Sequence, residues 1–208
     1  NTYLYVLNGL LGIYLVYLIA LRAQVEAAVA ARRSFAVAVG SVWFAYTKVE
    51  YSESLLATAL LGMWLAAPTR PLLAGALGGL AVTLRVEGLL FAGITGLSGG
   101  RTGKHYLKMV LGAAPGIALT AWANWVRTGS ILSSGYTDVG FTNPLWVGVY
   151  GLLFSAGQSV FLFSPLLFLA GTAARRVAAL PDGRRLVTWA FSLLGAQVLL
   201  YACWWDWS

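Results

Sequence analysis

The chain has 208 residues, of which 59% are hydrophobic and only 10% are charged, whereas a soluble domain has about 25% charged residues. A chain this apolar cannot cover a water-facing surface, so we interpret it as an integral membrane protein. Its net charge of +7 does not indicate a nucleic-acid partner, because most basic residues concentrate in four connections between apolar segments. Lysine and arginine mark the cytoplasmic connections of membrane proteins. The four connections contain Arg22, Arg32 and Arg33; Arg70; Arg101, Lys104 and Lys108; and Arg175, Arg176, Arg184 and Arg185.

The first apolar segment, residues 3–21, has the roughly 20 residues that a spanning helix requires, and it is predicted to run inward. The chain begins at Asn1 without an initiator Met and ends in a tryptophan-rich stretch. We therefore expect a single transmembrane domain, residues 1–208, that is a fragment of a longer chain. The lone Cys203 has no partner for a disulfide or a metal site.

The next two stretches are each predicted to cross the membrane and return, because basic connections flank both of them. The first has arms at residues 35–46 and 55–67. The second is residues 71–98, interrupted near Arg85 and Glu87. With about a dozen residues, each arm is roughly 18–20 Å long as a helix. One long tilted span over residues 71–98 remains an alternative.

Residues 106–126 are predicted to run outward into a polar loop, and residues 144–154 to form an interfacial helix on the outer leaflet. Residues 161–174 and 186–203 form the last pair of spans. The fold class is therefore all-α, a polytopic transmembrane helical bundle of about eight membrane segments with two short helical hairpins. We place it as a multi-pass membrane protein.

Five of the seven acidic residues are predicted to lie at the outer face, where carboxylates at a membrane edge are costly and their default interpretation is a functional site or an ion pair. They are Glu50, Glu53, Glu87, Asp138 and Asp206. Glu53 either binds substrate or, with Ser52 as N-cap, stabilises the start of a helix near Leu55. Arg85 with Glu87 is either a phosphate ligand or a structural pair. Because both hairpin apices face outward and lie below the membrane surface, Glu53, Arg85 and Glu87 are predicted to come together.

Arg127 lies on the face opposite most basic residues, where it either contacts a phosphate or snorkels at a helix end. We predict that Arg127, Tyr136 and Gln158 lie on the same face as Glu53. The candidate substrate-binding residues are thus Glu50, Glu53, Arg85, Glu87, Arg127, Tyr136 and Gln158, with no protein metal site. A divalent cation is left open as a cofactor.

Several of these stretches carry a resemblance to a known family. Ser52-Glu53 opening a helix resembles S-E-P/S-L, and Thr83-Leu84-Arg85-Val86-Glu87-Gly88-Leu89-Leu90 resembles L-T-R-P-E-G-L-L. The stretch 124–130, continuing to Gly135-Tyr136, resembles N-Y-x-R-F-G-S-P…G-Y, and residues 153–165 resemble L-L-F-S-P-G-K-G-L-F-L-Y-S-P. In order and spacing the chain resembles the membrane domain of bacterial GT-C glycosyltransferases, which include protein O-mannosyltransferases and lipid A aminoarabinose transferases.

The resemblance implies an inverting transfer of a sugar from a polyprenyl-phosphate donor at the outer face of the bacterial cytoplasmic membrane, with membrane lipids as further partners. It places the family's catalytic carboxylate upstream of Asn1, so the general base lies outside this sequence. Gln158 stands where the family has a basic residue, and Val86 and Ala156 stand where it has proline. Two other classes remain open: a transporter or lipid flippase, for which broken helices with midplane charges are also typical, and a membrane scaffold subunit.

Overall fold

The computed structural model describes residues 2–46, 49, 51–100, 102–133, 140–157 and 159–204. Within these ranges the regular structure is entirely helical, as the sequence predicts. In chain order the helices are α1 Thr2–Arg22, α2 Ala27–Val39, α3 Trp43–Tyr46, α4 Ser52–Ala66, α5 Pro71–Leu84, α6 Gly88–Gly99, α7 Gly103–Thr128, α8 Leu145–Phe154, α9 Val160–Phe163, α10 Leu167–Ala178 and α11 Gly183–Ala202.

Among the described residues, three helices, α1, α7 and α11, are long and apolar enough to cross a membrane. Four more, α4, α5, α6 and α8, are apolar but have only 10–17 residues. These lengths indicate a membrane protein, but they do not confirm the predicted total of about eight membrane segments.

Two predicted boundaries are wrong, and both errors have a local cause. The predicted cytoplasmic connection from Arg22 to Arg33 is mostly helix, because α2 begins at Ala27, in an alanine-rich stretch with high helix propensity. The predicted segment 161–174 is divided into α9 and α10 by Ser164, Pro165 and Leu166. Proline lacks a backbone N–H and disfavours the helical conformation in the residue before it.

The described chain divides into two compact units, so the single domain stays a prediction. Unit 1 comprises residues 1–19 and 45–135, and unit 2 comprises residues 20–44 and 136–208. The arms predicted for the first hairpin fall in different units, because α2 belongs to unit 2 and α4 to unit 1. A packed hairpin of these two arms is therefore not part of either unit.

Unit 1 is built around α5, which packs against α4, α6 and α7. The second predicted hairpin is confirmed, since α6 runs back along α5 and an added Cβ at Gly78 would lie 3.5 Å from the Ala92 side chain. The alternative of one long tilted span is wrong. Met63, Ala67, Ala74 and Met109 form the buried core of this unit.

The contact between α5 and α7 brings the two backbones together in parallel. An added Cβ on Gly75 would lie 2.0 Å from the Met109 carbonyl oxygen, and one on Gly116 would lie 2.4 Å from that of Gly79. Only glycine permits this approach, because any side chain at these positions would overlap the neighbouring backbone. The carboxyl ends of α5 and α7 consequently point the same way.

Unit 2 contains α2 and α8–α11. Arg22 and Asp182, which are both predicted to lie in cytoplasmic connections, form an ion pair with 2.8 Å between Nε and Oδ2. The Asn143 side-chain amide donates to the Ala202 carbonyl at 2.8 Å, and Gly148 lies against the Ala202 backbone. These contacts connect parts of the chain that are far apart in sequence.

Candidate functional site

The turn between α5 and α6 holds Arg85 at one end of unit 1. Helix α5 ends at Leu84, and Arg85 is extended, with φ −154° and ψ 141°. The chain then reverses within three residues, and the Gly88 N–H donates to the Arg85 carbonyl at 2.9 Å. An added Cβ on Gly88 would lie 2.1 Å from the Ala81 carbonyl oxygen, so this tight return requires glycine.

Arg85 bridges two carboxylates, and we call the group formed by Glu53, Arg85 and Glu87 the Arg85 cluster. Arg85 Nη1 donates to Glu53 Oε1 at 2.5 Å, and Arg85 Nε donates to Glu87 Oε1. The predicted meeting of these three side chains is confirmed, although Glu53 precedes Arg85 by 32 residues. Two carboxylates face one guanidinium, so the cluster has a formal net charge of −1.

The cluster is partly shielded from solvent, and one of its oxygen atoms is left without a hydrogen bond. The side chains of Glu87, Arg85 and Glu53 are 13%, 25% and 41% exposed. Glu53 Oε2 is buried and has no hydrogen-bond partner among the described residues. A buried acceptor without a partner costs about 1–3 kcal/mol, and a hydroxyl or ammonium group of a ligand would remove that cost.

Helix capping does not explain Ser52. Helix α4 begins at Ser52 itself, its N-cap position is Tyr51, and no side chain caps it. The predicted N-cap role of Ser52 for a helix starting near Leu55 is therefore wrong. Ser52 Oγ instead lies 3.5 Å from Arg85 Nη1, a weak contact. Glu53 does lie in the first turn of α4, where the helix dipole favours its negative charge.

Tyr46 belongs to the surroundings of the cluster and was missed by sequence reasoning. It ends α3, outside the three candidate spans, and its ring centroid lies 5.4 Å from that of Tyr51. Burial raises the pKa of the Tyr46 hydroxyl, and the negative charge of Glu53 raises it further. The available signal was a phenol directly before the polar apex of the first predicted hairpin.

Arg127 lies toward the same end of unit 1 as Arg85 but farther along the axis. Thr83, two residues before Arg85, donates through Oγ1 to the Gly116 carbonyl at 3.1 Å, and its Oγ1 lies 3.4 Å from that of Thr120. Because α7 continues to Thr128 and Arg127 lies seven residues beyond Thr120, Arg127 lies about 10 Å past this level. The Arg127 side chain is exposed.

The other predicted site residues, Glu50, Tyr136 and Gln158, lie outside the described residues, as do Asp138 and Asp206. No group of three or more His, Cys, Asp or Glu side chains that could hold a metal occurs within the part of the chain that the structure describes. The described residues therefore give no ligand set for a divalent cation, which the sequence analysis left open as a cofactor.

A scan against protein-family models and searches of curated proteins and solved structures find no match.

Proposed function

We propose that this chain is the membrane part of a glycosyltransferase that takes its sugar from a polyprenyl-phosphate donor at the outer face of a bacterial cytoplasmic membrane. The observation that carries the proposal is the meeting of two motifs. Ser52-Glu53 and the stretch 83–90 each resemble a GT-C motif, and their charged residues join in one ion-paired group. Convergence of two separate motifs on one partly buried site is expected when both serve one substrate.

The contacts of Arg85 favour a different division of substrate-binding roles from the one expected from the sequence. The guanidinium of Arg85 is occupied by Glu53 and Glu87, which offsets the positive charge that a phosphate needs. We therefore assign the donor phosphate to Arg127 and a positioning role to Arg85. Glu53 Oε2 is placed to accept a hydrogen bond from a hydroxyl of the sugar or of the acceptor.

In the proposed reaction, the bond between the anomeric carbon and the phosphate oxygen breaks as the acceptor oxygen attacks from the opposite side. The acceptor loses its proton to a general base that the resemblance places upstream of Asn1. The electron pair of the broken bond leaves with the phosphate. A fixed cation stabilises this developing charge, and removal of such a group costs about 10²–10³ in kcat.

The test is a transfer assay on the full-length protein with polyprenyl-phosphate sugars as donors. We expect Arg127→Ala to lower kcat by about 10²-fold. Glu53→Gln, which keeps the size of the side chain, should chiefly raise KM for the substrate that supplies the hydroxyl. Arg33→Ala is the matched control, because Arg33 is an exposed arginine of α2 far from both motifs in sequence. Normal turnover by both Arg127→Ala and Glu53→Gln would refute the assignment of phosphate binding to Arg127 and hydroxyl binding to Glu53.

A transporter or lipid flippase is the second candidate, and one observation favours it. The charged break between the half-length helices α5 and α6 is typical of transporter substrate sites, and the net negative charge of the Arg85 cluster suits a cation. Cysteine labelling at positions 85 and 127 in the full-length protein discriminates the two. Labelling from one side of the membrane only supports the enzyme, and access that switches sides with substrate supports transport.

A further inference from the structure

The end of unit 1 opposite the Arg85 cluster contains a groove beside the contact of α5 with α7. Its volume is about 530 Å³, and it is lined by Arg70, Pro71, Leu72, Leu73, Ala76 and Lys108. The groove therefore combines an apolar lining with two cations. The glycine contacts fix this shape, because Gly112 lies against the Leu72 carbonyl and holds the two helices together.

The two cations are not neutralised by an acid within the part of the chain that the structure describes. Neither Arg70 nor Lys108 forms an ion pair among the described residues, and both are exposed. The described acids of unit 1, Glu53 and Glu87, belong to the opposite end, where they pair with Arg85. The described acids of unit 1 are thus confined to the end with the Arg85 cluster, and the charged residues described at the groove end are all basic.

If α7 spans a bilayer, the groove lies near one end of the span, where the headgroup region is expected. Lys108 lies five residues into α7, about 8 Å from the start of that helix, which is one of the candidate spans. The exposed side chains of Leu72 and Leu73 continue from the cations along α5. A ligand that follows this path needs an anionic head and an apolar tail.

We propose that this groove binds an anionic phospholipid of the cytoplasmic leaflet, with its phosphate on Arg70 and Lys108 and an acyl chain along Leu72, Leu73 and Ala76. Basic pockets between transmembrane helices on the cytoplasmic side recognise such headgroups. The site is separate from the proposed donor site, which lies at the other end of α5. It assigns a lipid-binding function to residues that otherwise only set topology.

The test is native mass spectrometry of the full-length protein, released from detergent with equal amounts of phosphatidylglycerol and phosphatidylcholine. We expect selective retention of phosphatidylglycerol. Each basic residue near an anionic lipid surface contributes about a fivefold change in affinity, so Arg70→Gln with Lys108→Gln should weaken retention about thirtyfold. Lys108→Gln alone should weaken retention about fivefold. Lys104→Gln is its matched control, because it removes one positive charge one helical turn away at a residue that does not line the groove, and it should change retention less than twofold.

A second variant keeps the proposal testable if the double substitution does not fold. Ala76→Phe fills the apolar part of the groove without changing charge and should also release phosphatidylglycerol. Equal retention of both lipids by the wild-type protein, or an equal loss in Lys104→Gln, would overturn the proposal. Displacement of phosphatidylglycerol by added undecaprenyl phosphate would also overturn it, since the groove would then belong to the sugar donor.

Discussion

Replacing Arg85 with methionine tests whether the Arg85 cluster is a coupled unit. The substitution keeps much of the apolar stem and removes the cation that bridges Glu53 and Glu87. Breaking a buried ion pair by removing one partner costs about 3–5 kcal/mol. The Glu87 side chain is only 13% exposed, so loss of its partner should cost about 3 kcal/mol, the lower end of this range. The Glu53 side chain is 41% exposed, so loss of its partner should add at most about 1 kcal/mol. We expect Arg85→Met to lower the free energy of unfolding by about 3 kcal/mol.

The second half of this prediction concerns rescue. Glu87→Gln in the Arg85→Met background removes the uncompensated charge, so most of the lost stability should return. The coupling energy between the two substitutions should then exceed about 1.5 kcal/mol, within the range of residues in contact. Arg33→Met is the control and should change stability by less than about 0.5 kcal/mol.

Reversible unfolding in mixed micelles, followed by far-ultraviolet circular dichroism, gives all four free energies of the cycle. Additive losses, with a coupling below about 0.5 kcal/mol, would refute the reasoning. Glu87 would then be solvated independently of Arg85, and a coupled site at the α5–α6 turn would lose its physical basis.

Three further predictions concern packing, capping and titration. Gly116→Ala should destabilise the protein by about 1–3 kcal/mol, because the added Cβ would overlap the Gly79 backbone. The same change at Gly93, which has nothing within 4 Å, should stabilise by up to about 1 kcal/mol, and thermal unfolding of both variants checks this reversal of sign. Thr102→Ala should lower the free energy of unfolding by about 1 kcal/mol, since the Thr102 side chain accepts a hydrogen bond from a backbone N–H at the start of α7, as equilibrium unfolding would show. Because the folded-state pKa of Tyr46 is raised, the stability contributed by its neutral hydroxyl is complete below the unfolded-state pKa of about 10. That stability is lost as pH rises from this value through the folded-state pKa, so Tyr46→Phe should lessen the fall in stability at high pH.

The features that the sequence predicts well depend on composition or on the large free-energy cost of an isolated charge in the membrane. Helices α1, α7 and α11 follow from long apolar runs, which few structures other than a helix can accommodate in lipid. The meeting of Glu53 with Arg85 was predicted because an isolated charge at that depth is expensive. Neither inference needs the details of side-chain packing.

The features that were missed depend on weaker or more local terms. Basic residues served as boundary markers, so Arg32 and Arg33 concealed a helix that runs through both of them. The pairing of the first two arms was inferred from the basic residues that flank them, and flanking charge does not specify which helices pack together. The place of Tyr46 beside the cluster arises from tertiary packing, which no periodicity in the sequence encodes. The groove beside Lys108 likewise depends on how closely α5 and α7 approach.

The order in which the chain is synthesised has a consequence for the Arg85 cluster. Glu53 leaves the ribosome 32 residues before Arg85. At a synthesis rate of about 5–20 residues per second, Arg85 follows roughly 2–6 s later. Helices α5 and α6 are only about 21 Å and 18 Å long, shorter than the roughly 30 Å hydrocarbon core, and neither is suited to enter the bilayer alone. Insertion of α4, α5 and α6 is therefore expected to be concerted, with a negatively charged α4 held at the insertion machinery until the turn at Arg85 arrives.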